Sequence, residues 1–145
     1  MIKKNWPIVT EIPVLWGDMD DFGHVNNIVY LKWCETSRIE LFLKIWGINK
    51  EDIQLHINSR DKGPILANFN MNYKIALKYP DTVIIKSRIS KIGNTSFGIS
   101  HELFSKNNGD NVVGNADSVV VLVDYSSGEK IIINTETRKK LKSFY

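Results

Sequence analysis

One strongly apolar helix, followed by segments that have mainly strand character, is the feature that most restricts the fold of this chain. Residues 27–46 contain an apolar stripe at helical spacing, formed by Ile28, Leu31, Glu35, Ile39, Phe42 and Trp46, in which Glu35 is the single acid. Three further residues widen this stripe: Cys34, Leu41 and Ile45. Asn26 suits the N-cap position, and Gly47 suits the residue that ends the helix. Because the apolar surface covers more than half of the circumference, we expect this helix to be buried on most sides.

The segments outside this helix mostly alternate apolar and polar residues with the period of two that is typical of strands. The predicted strands cover residues 8–16, 65–75, 82–92, 95–105 and 112–125. Residues 48–62 are predicted as a loop with a short helix near 50–55, and residues 135–144 as at most a short surface helix. Short turns between successive strands favour an antiparallel sheet. The sequence therefore predicts one α+β domain over residues 1–145, with an antiparallel sheet wrapped around one long central helix.

The loop between the first strand and this helix contains the densest group of chemically active side chains. It reads W-G-D-M-D-D-F-G-H-V-N-N from Trp16 to Asn27, and it leads into Tyr30, Glu35 and Arg38. A carboxylate here lies close to a helix N-terminus, which has unsatisfied N–H groups and the positive end of the helix dipole. Such a carboxylate can attack a carbonyl, or activate water to do so, while the N–H donors hold the oxyanion. Acyl transfer is therefore the first hypothesis.

Composition narrows the possible partners and compartments. The net charge of +3 is mild, and no run of Lys and Arg is dense enough for a nucleic-acid surface. Cys34 is the only cysteine, which excludes an internal disulfide and a multi-cysteine zinc site and fits a reducing cytoplasm. Residues 1–14 lack the apolar core of a signal peptide, and no apolar run approaches the ~20 residues that span a bilayer. We expect a cytoplasmic protein with no nucleic-acid partner and no membrane span.

The motif W-G-D-M-D-D-F-G-H-V-N-N-x-x-Y-L-x-x-x-E-x-x-R-I-E resembles the signature of hotdog-fold thioesterases of the 4-hydroxybenzoyl-CoA thioesterase family, in particular their bacterial acyl-CoA thioesterase branch. The stretch from Ile89 to Phe97 is similar to that branch's turn between consecutive strands. The resemblance spans roughly residues 8–140 and agrees with the predicted order of elements. It implies a hotdog fold, dimers with a continuous sheet that often form tetramers, and thioester substrates bound at the dimer interface. It also implies that no metal or redox cofactor is used.

The resemblance assigns roles to individual residues of the loop. The catalytic carboxylate falls on Asp20, and the backbone N–H that polarises the thioester carbonyl falls on Asn27. Gly23 would let the loop pass close to the substrate, and Asn26 would shape and hydrogen-bond the loop. His24 has the side chain most often used as a general base near neutral pH, but a supporting or substrate-contacting role is favoured for it.

Other polar residues near this motif have structural interpretations. Asp18 is predicted to be a turn or ion-pair residue. Glu35 is the second candidate for a catalytic acid, although pairing with Arg38 or Lys32 is favoured because an unpaired buried carboxylate is costly. Cys34 is predicted to be a core residue rather than a nucleophile.

Two cations and four large apolar residues are candidates for substrate contacts. Arg88 and Lys91, beside the turn at Gly93 and Asn94, are suited to the phosphates of CoA, and equally to simple solvent exposure. An acyl or aryl pocket would suit the residues Trp33, Phe69, Met71 and Phe97, each of which is equally suited to the core.

The function that these observations favour is hydrolysis of an acyl-CoA to free acid and CoA. Asp20 would act as nucleophile, through a mixed anhydride, or as general base for water. The alternatives are an acyl-carrier-protein thioesterase and a hotdog module that binds acyl groups without catalysis. Asp20 argues against the last, because a pure binder needs no carboxylate beside the thioester. The G-x-S-x-G and H-E-x-x-H motifs are absent, so serine-hydrolase and zinc-hydrolase interpretations lose their main support.

Overall fold

The computed structural model describes residues 5–145. The prediction that residues 1–14 contain no signal peptide therefore lies partly outside the described residues. Five strands form one antiparallel sheet: β1 (Ile8–Pro13), β2 (Lys62–Tyr73), β3 (Thr82–Ile92), β4 (Ser96–Ser105) and β5 (Gly114–Asp124). Their order in the sheet is β1-β3-β4-β5-β2. A single long helix, α1 (Asn27–Trp46), packs on one face of the sheet. The predicted α+β architecture is confirmed.

Most predicted elements are found within a few residues of their predicted bounds. The strand β1 ends at Pro13, three residues before its predicted end, and β2 begins at Lys62, three residues before its predicted start. The predicted N-cap of α1 is confirmed, since Asn26 Oδ1 accepts a hydrogen bond from the Ile28 N–H at 2.9 Å. Gly47 ends the helix as predicted, with a φ of 64° that favours glycine.

Two short α-helices follow α1 in the chain. The region predicted as a loop contains α2 (Ile53–Ser59), which lies slightly later than the short helix predicted near 50–55. The C-terminal helix α3 (Thr135–Lys142) is short, as predicted, and its Leu141 is fully buried in the core. Of the helices in residues 5–145, none has the length and apolar character needed to cross a bilayer.

Strand β2 lies at one edge of the sheet and carries a β-bulge between Leu66 and Asn68. The predicted alternation placed Ile65 on the same face as Phe69, but the bulge puts them on opposite faces. Leu66, opposite the buried Val120, faces α1 instead. Only one side of β2 is paired, so its other row of N–H and C=O groups is open within the described chain.

The stripe predicted to bury α1 is only partly buried, because the residues that widen it, Cys34, Leu41 and Ile45, face the sheet, whereas most of its central line does not. Ile28, Leu31 and Ile39 are exposed, whereas the face in contact with the sheet contains Tyr30, Trp33, Cys34, Ser37, Arg38, Leu41 and Ile45. Both faces are apolar enough to pack, so the sequence pattern does not determine which one meets the sheet. In the single chain α1 is therefore buried on one side only, and an apolar face remains open.

A layer of polar side chains divides the core into two apolar clusters, one at each end of α1. Ser37 Oγ lies 2.6 Å from Ser87 Oγ, which lies 2.7 Å from His101 Nδ1. His101 Nε2 lies 2.9 Å from Ser118 Oγ, which completes the layer across α1, β3, β4 and β5. Burial, and to a lesser extent the nearby Arg38 charge, lower the pKa of His101 to about 3, so the imidazole is neutral.

Candidate active site

The loop that carries Asp20 folds back on itself. The Asp20 N–H donates to the His24 carbonyl at 3.0 Å, and the Gly23 N–H donates to the Asp20 carbonyl at 3.0 Å. Oδ1 of Asp20 accepts a hydrogen bond from the Phe22 N–H at 2.9 Å. Gly23 has a φ of 79°, a backbone conformation that favours glycine, and a Cβ there would meet no atom of the described chain within 4 Å. His24 helps to order the loop through its carbonyl, which fits the supporting role favoured for it.

Asp18 anchors this loop to the end of β1, as its structural interpretation predicted. Its Oδ2 accepts from the Leu15 N–H at 2.8 Å, and its carbonyl accepts from the Asn26 N–H at 2.9 Å. Both bonds keep the loop against the start of α1. The two acids therefore differ: Asp18 is used by the backbone, whereas Asp20 keeps Oδ2 for other contacts.

The first turn of α1 leaves one N–H donor open. The Ile28 N–H is capped by the Asn26 side chain, and the Val29 N–H donates to the Asn26 carbonyl at 3.0 Å. Within residues 5–145 we find no acceptor for the Asn27 N–H. An open donor at the positive end of a helix is the arrangement that stabilises an oxyanion.

A cavity of about 300 Å³ lies beside this donor. Its walls include Asn27 and Tyr30 from α1, Tyr73 at the end of β2, and Lys74 directly after that strand. The Tyr73 hydroxyl donates to the Asn27 carbonyl at 3.1 Å, and its ring packs edge-on against Tyr30 with centroids 5.0 Å apart. The sequence analysis missed Tyr73 and Lys74, because strand alternation alone does not indicate that the end of β2 meets the start of α1.

A second, larger cavity of about 750 Å³ lies along the C-terminal half of α1. Its lining is mainly apolar and comes from α1, α2, the sheet and the segment before α3, for example Phe42, Trp46, Ile57, Leu66 and Ile131. The four residues suggested for an acyl pocket do not line either cavity. Trp33 and Phe97 are buried in the core, and Phe69 and Met71 pack against it.

Glu35 lies away from the Asp20 loop. It is eight residues after Asn27, which is about 12 Å along a helix. Its side chain is 63% exposed, so the expectation of a buried acid is wrong, and its Oε2 lies 3.8 Å from Nη2 of the buried Arg38. The Glu35–Arg38 pairing is confirmed. Cys34 is fully buried, and burial raises the pKa of its thiol to about 12, which confirms the core interpretation.

Arg88 and Lys91 are not brought to the Asp20 loop of the same chain. Thr82, at the start of β3, pairs with Pro13 near that loop, and the strand then runs away from it. At ~3.3 Å per residue, Arg88 lies about 20 Å and Lys91 about 30 Å further along β3. Arg88 is partly buried, with its guanidinium over the Trp6 ring at 5.0 Å. Lys74, by contrast, lines the same cavity as Asn27.

A curved antiparallel sheet packed on one long helix, with a carboxylate loop before that helix, defines the hotdog class of proteins. Residues 14–141 match the sequence profile of the Thioesterase-like superfamily, so the chain belongs to that superfamily. It is accordingly classed as a thioester hydrolase. A solved structure of a predicted thioesterase from Bacillus stearothermophilus has the same fold, with a TM-score of 0.79 and 24% identity over 94% of this chain and 95% of that one.

Two characterised relatives cover most of this chain. The long-chain acyl-CoA thioesterase FadM of Escherichia coli strain K12 is 25% identical over 133 residues, which are 92% of this chain and 96% of that protein. A chloroplastic acyl-acyl carrier protein thioesterase of Arabidopsis thaliana is 27% identical over 114 residues, or 79% of this chain. This chain spans 57% of the length of the plant protein.

Proposed function

We propose that this protein hydrolyses an acyl-CoA to the free acid and CoA, with Asp20 and the Asn27 N–H as its catalytic groups. The observation that carries the proposal is the open Asn27 N–H at the start of α1, next to a loop that presents a carboxylate. The similarity to FadM over nearly the full length of both proteins supports CoA as the carrier. The subfamily assignment to the 4-hydroxybenzoyl-CoA type, and a cytoplasmic location, belong to the same proposal.

The thioester carbonyl oxygen would accept the Asn27 N–H, so negative charge that develops in the transition state meets the helix N-terminus. A single oxyanion donor of this kind is typically worth ~3–4 kcal/mol of barrier. As a nucleophile, Oδ2 of Asp20 attacks the carbonyl carbon, the thiolate of CoA leaves, and water then hydrolyses the mixed anhydride. As a general base, Asp20 takes a proton from the water that attacks. The two routes lead to the same products.

The open edge of β2 supports a dimer in which two β2 strands pair. The helix α1 lies on the inward face of the sheet. Its exposed apolar side, which contains Ile28, Leu31 and Ile39, would be covered by a second copy of the chain. If the two β2 strands pair antiparallel over their whole length, Lys62 at the start of one strand lies opposite Tyr73 of the partner subunit at the end of the other. The large cavity, bounded by Lys62 and Leu66, would then adjoin the catalytic end of the partner's α1.

This pairing explains why the single chain keeps its two cavities apart. Ile39, on the wall of the larger cavity, is twelve residues after Asn27, which is about 18 Å along a helix. The acyl group would occupy the larger cavity of one protomer while its carbonyl meets Asp20 and Asn27 of the other. The proposed site is therefore incomplete in a monomer.

An acyl-carrier-protein thioester is the second candidate substrate, and the similarity to the plant enzyme favours it. Release of free thiol from matched acyl-CoA and acyl-carrier-protein thioesters, across short, long and aromatic acyl groups, tests both. We expect turnover of at least one acyl-CoA. If only carrier-protein thioesters are hydrolysed, the acyl carrier protein replaces CoA as the proposed carrier. If both substrates bind and neither releases thiol, the protein is instead a module that binds acyl groups without catalysis.

A further inference from the structure

We infer that Tyr73 is a positioning residue that holds the oxyanion donor of this site and makes that donor depend on the edge of the sheet. The inference rests on the proposed function, because it concerns the Asn27 N–H. It adds a residue that neither touches the reacting atoms nor belongs to the loop motif. The relevant contact joins the last residue of β2 to the first residue of α1, which are 46 residues apart in the chain.

The local packing explains why Tyr73 reaches across to α1. Its cross-strand neighbour is Gly114, which has no side chain to pack against the tyrosine ring. The ring packs instead on Tyr30, edge to face, with an interplanar angle of 87°. Tyr30 is buried and makes a further edge contact with Trp33, so it offers a rigid surface. The position of the Tyr73 hydroxyl is therefore set by the core of α1 on one side and by the strand on the other.

The hydroxyl acts on the residue whose N–H is proposed to bind the oxyanion. The Asn27 carbonyl accepts its hydrogen bond at 3.1 Å, which restrains the rotation of the Asn27 backbone at a helix end, where frayed conformations are common. An oxyanion donor contributes most when it is already oriented before the reaction, and small displacements of a catalytic group have large effects on rate. Loss of this restraint should therefore lower kcat, with little effect on substrate binding.

The strand that carries Tyr73 is the unpaired edge of the sheet. Pairing with a second copy would restrict the motion of β2. Through its hydrogen bond, Tyr73 would then also restrict the motion of the start of α1. The hydrogen bond from the Tyr73 hydroxyl to the Asn27 carbonyl therefore connects assembly of the dimer to catalysis. Tyr73 is half exposed in the single chain, so the link is weakest before the edge is covered.

The chain contains a matched control for a variant at this position. Tyr125 is also partly exposed, and its hydroxyl also donates to a backbone carbonyl, that of Pro64, at 2.9 Å. Pro64 lies near the opposite end of β2. Tyr73→Phe and Tyr125→Phe each remove one oxygen and one hydrogen bond of the same kind, so their effects on general stability should be similar.

Two measurements on the full chain test the inference. With the acyl-CoA that the wild type hydrolyses fastest, we expect Tyr73→Phe to lower kcat about ten-fold with KM changed less than about two-fold, and Tyr125→Phe to change kcat by no more than about two-fold. In hydrogen exchange, the Leu31 amide, the α-helical donor to the Asn27 carbonyl, should exchange faster in Tyr73→Phe only.

Equal kcat values for the two variants, or unchanged exchange at Leu31 in Tyr73→Phe, would overturn the inference. A kcat loss that appears only together with a matching rise in KM would do the same, because it would indicate substrate contact. If the wild type released thiol from no thioester, the proposed function would fail. The exchange measurement would still decide whether Tyr73 restrains the helix N-terminus.

Discussion

Oδ1 of Asp20 accepts a hydrogen bond from the backbone N–H of Phe22 at 2.9 Å, so the turn holds one oxygen of the candidate catalytic carboxylate and leaves the other free. The bond is local, within a turn that the Gly23 N–H closes on the Asp20 carbonyl. It orients the carboxylate without burying it. A carboxylate held in this way can serve as a nucleophile or base through Oδ2 alone.

Replacement of Asp20 by Asn should lower kcat about 10²–10⁴-fold, because general-base or nucleophilic assistance of this order is lost. The amide oxygen can still accept the Phe22 N–H, so the fold and acyl-CoA binding should change little. Steady-state thiol release and a binding titration measure the two effects. Asp21→Asn, the same change at the adjacent exposed residue, is the control and should keep activity within a few-fold. Wild-type turnover in Asp20→Asn would make Glu35 the next candidate.

Leu31→Arg should convert a dimer into a monomer with little activity. The substitution places a charge on the exposed apolar face of α1, which the proposed dimer buries. Light scattering at micromolar concentration should report about twice 16.6 kDa for the wild type and a single chain for the variant. Val9→Arg changes a more exposed apolar residue on β1, at the other edge of the sheet, and should remain a dimer. A fully active wild-type monomer would refute the assembly.

Arg88→Ala and Lys91→Ala should raise KM for acyl-CoA more than they lower kcat, because phosphate contacts act about equally on ground and transition states. Raised salt should reproduce the effect of Lys91→Ala, since Lys91 is exposed and exposed charges are screened over ~8 Å at physiological ionic strength. An N-acetylcysteamine thioester, which lacks the nucleotide, should be hydrolysed equally by variants and wild type. An equal loss on that short substrate would make the two cations structural. If Lys74→Ala alone raises KM, the phosphates lie at the start of α1 instead.

His101 should make the free energy of unfolding fall as the pH is lowered. Its pKa is about 3 in the folded protein and 6.5 for an imidazole exposed to water, so between these pH values the unfolded chain binds a proton that the folded protein does not. Stability from this group is present above pH 6.5 and is lost progressively towards pH 3. Between pH 7 and pH 5 the loss should be about 2 kcal/mol.

Urea unfolding of wild type and His101→Gln at the two pH values measures this contribution. The variant should lose less stability than the wild type between pH 7 and pH 5, by about the same 2 kcal/mol. His56→Gln, which removes an exposed imidazole from α2, is the control substitution. An unchanged pH dependence in His101→Gln would mean that the buried layer of serines accommodates the charged imidazole.

Local signals explain why so much of the fold could be predicted. The cap at Asn26, the left-handed Gly47 and the period-two alternation each depend on residues close together in the chain, and the structure contains all three. The bulge in β2 escaped prediction because an extra residue reverses the alternation without leaving a distinct residue signal. The buried polar layer at His101 escaped prediction because its partners, Ser87 and Ser118, come from neighbouring strands that only the sheet brings together.

By itself, the sequence determined the secondary structure, the α+β class and the loop that carries Asp20 at the start of a helix, because these depend on short-range periodicity and backbone chemistry. Only the tertiary structure decided which face of α1 meets the sheet, because both faces are apolar enough to pack. It alone brought Tyr73 to Asn27, and moved Arg88 and Lys91 away from Asp20, because the order of strands in the sheet sets these distances. Contacts between residues far apart in the chain depend on how the elements pack, and hydrophobic pattern alone is compatible with more than one packing.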